Sequence, residues 1–186
     1  LYTINGFNTA FKYNHINISK SVAKDNTDIG LNSTLSKTAN SIDLSLTDMY
    51  KTNYNKRWSN IINNTDVKSV QTIEELEQQL RLLSKNSSPL KQALDDIYTN
   101  TYTLGSRPNF LSKQIIEINN FTNSTSAKYN YITTKITLKK LYTYIKQIQS
   151  SNHPESNYLN AAKDFISGNP KSPLTQLNDI AQHAPL

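Results

Sequence analysis

The chain has 186 residues, 36% of them hydrophobic, with a mean hydropathy of −0.60 and a formal charge of +6. That length suits one domain or two small subdomains with a buried core. Its longest apolar runs, such as Ile61-Ile62 and Ile115-Ile116, fall far short of the ~20 residues that span a bilayer. There is no cysteine, which excludes disulfides, thiolate metal sites and cysteine nucleophiles together.

The positive charge comes almost entirely from lysine, with arginine only at 57, 81 and 107. The lysines are scattered, and Lys139-Lys140 is the only adjacent pair. Nucleic-acid binding wants clustered charge, so the distribution reads as a solvated surface. The crowding of Asn, Lys, Ile and Tyr fits the codon bias of an AT-rich genome. That bias also explains N-x-S/T triplets such as Asn17-Ile18-Ser19 and Asn120-Phe121-Thr122, which read as accidental. No basic stretch precedes an apolar leader, and the chain opens at Leu1-Tyr2-Thr3 without an initiator Met. It is expected to be a piece of a longer protein.

Only four glycines occur, at 6, 30, 105 and 168, which argues against an all-β fold with many tight turns. A first helix is expected from Gly6 to about Lys24, with Phe7, Phe11, His15 and Val22 on one side. Asp25–Asn40, rich in Ser, Thr and Asn, reads as a loop. Ile42–Ile62 is the clearest helix, because Leu46, Tyr50, Tyr54, Trp58 and Ile61/Ile62 recur at three- and four-residue steps, with Met49 widening the stripe. Thr72-Ile73-Glu74-Glu75 is a capping box, in which the Thr72 hydroxyl takes the Glu75 N–H and the Glu75 carboxylate takes the Thr72 N–H. Ile73, Leu76, Leu80 and Leu83 form the buried stripe behind it.

Ser88-Pro89-Leu90 opens a third strong helix, with Ser at N-cap, Pro at N1, and Leu90, Leu94 and Ile97 inward. Thr101–Asn109 reads as a linker. Phe110–Phe121 is a helix with Leu111, Ile115 and Ile118 on one side, followed by a break at Thr122–Ala127. Tyr129–Gln149 is a long helix with Ile132, Ile136, Leu138, Leu141, Ile145 and Ile148 inward. His153-Pro154 opens a short one carrying Tyr158, Leu159, Ala162, Phe165 and Ile166, closed by Gly168 as a C′ residue. Ser172-Pro173-Leu174 opens the last, with Leu177 and Ile180 inward, before Pro185. The fold class is therefore all-α, a bundle of about seven or eight helices. The segments 1–103 and 129–186 are expected as helical subdomains joined by a one-helix connector at 104–128, all able to pack as one domain.

No catalytic constellation emerges. The glycines cannot supply a phosphate-binding loop. His15, His153 and His183 lack metal-ligand spacing to one another or to carboxylates. Asp95 and Asp96 point about 100° apart on a helix and do not converge; Asp95 suits an ion pair with Lys91. Ser88 and Ser172 read as N-caps, not nucleophiles. The expectation is no enzyme, no cofactor, no metal site and no catalytic residue. The Tyr50, Tyr54, Trp58 stripe is either a partner-binding hot spot or a core seam, and its helical spacing favours the core.

The order of these motifs carries a resemblance. Leu1-Tyr2-Thr3-Ile4-Asn5-Gly6-Phe7 with Phe11, then Tyr50-x3-Tyr54-x3-Trp58, then Leu83-Ser84-x3-Ser88-Pro89-Leu90 follow one another as in the C-terminal part of the IcmF/TssM family. Thr99-Asn100-Thr101 sits where the family's helix closes with a Thr. Phe165-Ile166-Ser167-Gly168, Ser172-Pro173-Leu174 and Ala184-Pro185-Leu186 resemble its close. The chain departs from the pattern at Asp28-Ile29-Gly30-Leu31, which lacks the family's Trp, and across 104–128.

The resemblance implies a periplasmic helical region of an inner-membrane secretion protein, from a type VI or a type IVB system. Its implied role is a non-catalytic scaffold or spacer of the envelope-spanning complex. The implied partners are a DotU/TssL-like inner-membrane subunit, a second copy of the protein, and an outer-membrane lipoprotein reached through an adjoining β-sandwich. The alternative from charge alone is a basic helical module for nucleic acid or anionic membrane.

Overall fold

The computed structural model describes residues 2–11, 21, 24, 34–105, 110–125 and 127–185. Eight α-helices are described and the described residues contain no strand, so the fold is all-α as expected: α1 Ile4–Gly6, α2 Thr34–Asn63, α3 Ile73–Leu83, α4 Pro89–Gly105, α5 Lys113–Asn123, α6 Tyr131–Gln149, α7 Pro154–Ile166 and α8 Pro173–His183. None of the described helices is long and apolar enough to cross a membrane. The chain divides into two compact units, Leu1–Thr65 with Thr99–Ile116, and Asp66–Tyr98 with Glu117–Leu186.

In the first unit Thr3 caps α1, its hydroxyl accepting from the Gly6 N–H at 3.0 Å. The helix passes directly into a π turn over Phe7–Phe11. Of the remainder of the expected first helix only Ser21 and Lys24 are described, both helical, and His15 and Val22 lie outside the described residues. So does the 25–33 part of the expected loop. The rest of that loop is a correction, because α2 already begins at Thr34. Ser, Thr and Asn each lower helix propensity by only a few tenths of a kcal/mol, and extending an existing helix is far easier than nucleating one.

Along α2, Tyr50, Tyr54, Trp58 and Ile62 are buried at a strict four-residue step. Met49 and Ile61, expected to widen this stripe, are exposed. Around it the rings of Phe11 and Tyr50 stack at 4.1 Å, Phe7 meets Tyr50 at 5.5 Å and Phe110 at 5.9 Å, and Phe110 meets Tyr54 edge-on at 5.7 Å. Two of the buried polar tips find backbone. The Trp58 indole N–H donates to the Tyr2 carbonyl at 2.9 Å, and the Tyr54 hydroxyl donates to the Asn100 carbonyl. The stripe is thus a core seam.

Asn55 fixes the entry to α5. Its Nδ2 donates to the Phe110 carbonyl at 2.8 Å and its Oδ1 accepts from the Ser112 N–H at 2.6 Å. Phe110 and Leu111 are therefore buried ahead of the helix rather than inside it, and α5 begins at Lys113 and runs on to Asn123. The expected linker from Thr101 is likewise shortened. The inward stripe of α4 continues as Leu94, Ile97, Thr101 and Leu104, all buried, and the helix reaches Gly105. Residues 106–109 lie outside the described residues.

In the second unit the Thr72 hydroxyl accepts from the Glu75 N–H at 3.2 Å, as expected. The Glu75 carboxylate instead accepts from the Gln71 N–H at 2.8 Å, one residue before the predicted donor. Ser88 caps α4 through the Lys91 N–H at 3.1 Å and also meets the Tyr131 hydroxyl at 3.2 Å while fully buried. The Lys91 ammonium pairs with Asp95.

The hub is α6, which packs against α3, α7 and α8. Asn130 caps it, accepting from the Thr133 N–H at 2.8 Å, so it starts at Tyr131. Its buried stripe is Tyr131, Thr134, Leu138, Leu141, Ile145 and Ile148, with Thr137 on the flank. This corrects the predicted stripe, since Ile132 and Ile136 are 46% and 48% exposed. The phase is set by alternate three- and four-residue steps, the period that keeps one seam against neighbouring helices. Thr134 tolerates burial because its hydroxyl donates to the Asn130 carbonyl at 2.8 Å. Leu80, Leu138, Leu141 and Ile145 form the packed centre, flanked by Ile73, Leu76, Leu83, Leu174 and Leu177.

Two outcomes check this arrangement. Leu141→Ala should cost roughly 2–5 kcal/mol of unfolding free energy, whereas Ile136→Ala should stay within about 0.5 kcal/mol. Urea titration of both variants decides it, and equal losses would refute the observed phase of α6.

The second outcome is a pH dependence. Burial, reinforced by the neighbouring Tyr2, pushes the Tyr50 hydroxyl up to about 12. Burial and Tyr50 push Tyr54 up as well. The unfolded chain loses the Tyr50 proton near pH 10, so this stabilisation is fully present below pH 10 and declines as pH rises toward 12. The urea midpoint should fall across that window, and fall less steeply in Tyr50→Phe; identical slopes would count against a buried neutral phenol.

Candidate interaction surface

Helix α7 begins at Pro154, whose fixed φ suits the first helical position, although the exposed His153 at N-cap makes no side-chain cap bond. It ends in a Schellman motif. The Asn169 N–H donates to the Asp164 carbonyl at 2.9 Å and the Gly168 N–H to the Phe165 carbonyl at 3.0 Å. Gly168 takes φ +69°, as its predicted C′ role requires.

The inner side of α7 is carried by Ala161, 4% exposed, with Tyr158 and Asp164 half-buried beside it. Of the apolar residues expected on this helix, most are exposed. Leu159, Phe165 and Ile166 are 57%, 43% and 84% exposed, and Ala162 is exposed too. The helix carries apolar residues over a wider arc than α6 and α8 can cover. The side led by small Ala161 allows the closest approach and faces them. Leu159 and Ile166, seven residues apart, lie in line on the exposed side, and Phe165 stands about 100° from Ile166 around the helix. The Tyr158 hydroxyl is buried without a hydrogen-bond partner, and burial, then Glu74 and Glu77, raise its pKa.

Beside this helix lies a groove of about 590 Å³, formed by α6 and the turn between α7 and α8. Ile136, Tyr144 and Pro173 give it apolar walls, and Lys139, Lys140 and Lys171 stand around it. All three lysines are exposed, and none pairs with a carboxylate among the described residues. Asp164 is the one acid among the lining residues, and it already accepts from Asn169 Nδ2 at 3.1 Å. Ser172, expected to cap α8, occupies the N-cap position with no side-chain cap bond, its hydroxyl buried and unpartnered.

A second cleft, about 620 Å³, runs past Glu117, Phe121, Tyr129 and His183. Here the Tyr129 ring stacks on the His183 imidazole at 4.3 Å, and the Tyr129 hydroxyl donates to both Asp179 carboxylate oxygens at 3.2 Å. His183 Nδ1 lies 2.7 Å from the Asp179 carbonyl, and Lys128 reaches Asp179 at 3.3 Å. The Asp179 carboxylate thus accepts from Tyr129 and pairs with Lys128, and the cluster is a clasp between the segment just before α6 and the end of α8. Among the described residues no three His, Asp or Glu side chains gather as metal ligands. Glu74 and Glu75 remain in the first turn of α3, and Asp95 remains with Lys91. Sequence reasoning missed the groove lysines, although Lys139-Lys140 beside an out-of-phase Ile136 was the available signal.

The motifs that gave the sequence its family likeness occupy structural positions. Tyr50, Tyr54 and Trp58 are core, and Ser88-Pro89-Leu90 is a buried cap. The family model described as "IcmF-related: Intracellular multiplication and human macrophage-killing" matches residues 1–102, a span that holds these two motifs and the Leu1–Phe11 opening but not the closing motifs at 165–186. Comparison with curated proteins and with solved structures gives no match. With more than half of its length matched, and the matched motifs building its core seam and its best-capped helix start, the chain belongs to the IcmF-related family.

Proposed function

We propose that the chain is a non-catalytic contact segment of an inner-membrane secretion protein, lying in the periplasm and helping to assemble an envelope-spanning complex. Membership of the IcmF-related family associates it with a secretion system. The observation that supports the finer reading is the exposure of the large apolar side chains Leu159, Phe165 and Ile166 on α7. A scaffold acts by packing, and uncovered apolar side chains on a helix are what packing against another subunit uses. The partners in this reading are a DotU/TssL-like subunit and a second copy of the protein, with an outer-membrane lipoprotein engaged through an adjoining region.

Photo-crosslinkers placed at Leu159, Phe165 and Ile166 of the full-length parent, in cells, test this. Adducts to itself or to envelope secretion subunits are expected, and Ile166→Asp should abolish those formed from Leu159 while leaving the melting temperature within about 2 °C, as suits an exposed substitution. Adducts confined to cytoplasmic proteins or nucleic acid would refute the assignment.

A further inference from the structure

We infer that the groove between α6 and the α7–α8 turn is a docking site for an acidic, partly apolar segment of a partner protein. This deepens the scaffold reading and rests on it for the kind of partner.

The argument begins with charge. Three ammonium groups, Lys139, Lys140 and Lys171, surround the groove against the single Asp164 carboxylate, which is already hydrogen-bonded. Elsewhere in this unit Lys128 holds Asp179 and Lys146 reaches Glu77 at 3.8 Å, whereas Lys68, Lys85 and Lys163 hold no acid among the described residues; what sets the groove apart is that three such lysines line one concavity. The groove lysines have none among the described residues, so their field is uncancelled where the surface is concave.

Shape and polarity narrow the occupant. The groove, at about 590 Å³, holds a few side chains. Ile136 is half-exposed at its edge, held out of the core by the phase of α6, and Pro173 lines it as well. Burying Ile136 needs an apolar side chain from the partner, and matching the lysines needs carboxylates. A peptide segment with Asp or Glu flanking Leu or Phe supplies both. Duplex nucleic acid and membrane surfaces offer regular arrays of phosphate and are met by extended basic faces, which three lysines around a pocket do not make. The lysine stems add apolar cover while their charges stay wet.

The test is selection from a random displayed-peptide library on the 186-residue chain, followed by anisotropy titration of the selected, labelled peptides. Enrichment of Asp and Glu beside Leu or Phe is expected. The triple variant Lys139→Glu, Lys140→Glu, Lys171→Glu should bind the selected peptides at least about tenfold more weakly, as reversal of three exposed charges implies. Ile136→Asp should weaken them too, whereas Lys56→Glu should leave them unchanged. All these positions are exposed, so circular dichroism melts of the variants should match the parent chain.

Selection of no binders, selection of binders without acidic residues, or equal binding by the triple variant would overturn the inference. So would tighter capture of duplex DNA or phosphatidylserine vesicles through the same lysines. Failure here with α7 crosslinks to envelope subunits intact would remove the groove and leave the scaffold. Lysine-dependent peptide binding without those crosslinks would leave the groove and remove the scaffold.

Discussion

The phase of α6 governs the second unit. Tyr131, Thr134, Leu138, Leu141, Ile145 and Ile148 turn inward together, and α3, α7 and α8 pack around them. The choice is held at its start, where Tyr131 meets the buried Ser88 hydroxyl and Asn130 caps the first turn. A helix rotated to bury Ile132 and Ile136 would break the Tyr131–Ser88 contact and turn Leu138, Leu141 and Ile145 away from the packed centre, which costs more than two half-exposed isoleucines. The same rotation leaves Ile136 on the surface beside Lys139 and Lys140, so the packing of the core and the chemistry of the groove are one decision.

The first unit is held differently. Its aromatic seam is apolar in bulk, but its definition comes from polar tips reaching the backbone of distant segments. Trp58 takes Tyr2, Tyr54 takes Asn100, and Asn55 takes both Phe110 and Ser112. The Tyr2, Phe110 and Ser112 groups lie outside helices and would otherwise be left unpaired, whereas the Asn100 carbonyl sits within α4. Aromatic residues suit this work because one side chain offers both a large buried face and a directional bond.

The surface features of interest follow from excess. Helix α7 has more apolar arc than its neighbours can cover, and the area around the groove has more positive charge than its own acids can neutralise. Both excesses lie on the surface, and both are what the proposed contacts with other subunits would use. The matched residues 1–102 build most of the aromatic core and the entry to α4, whereas the groove and the exposed residues of α7 lie beyond them. Family membership and the proposed contact surfaces therefore rest on separate stretches of chain.

By itself the sequence determined whatever is local. The Thr72 cap, the Ser88-Pro89 helix start, the Gly168 stop and the four-residue step from Tyr50 to Trp58 are each settled within a turn or two, and each is found where the pattern put it. The all-α class and the family follow from such signals in order. Only the tertiary structure decided what depends on neighbours: that α2 starts by Thr34, that Thr101 and Leu104 extend α4, that Glu75 reaches Gln71, and that Leu159, Phe165 and Ile166 face out. The reason is physical. Capping and periodicity are energies between residues three or four apart, whereas rotation and length of a helix are fixed by partners from elsewhere in the chain.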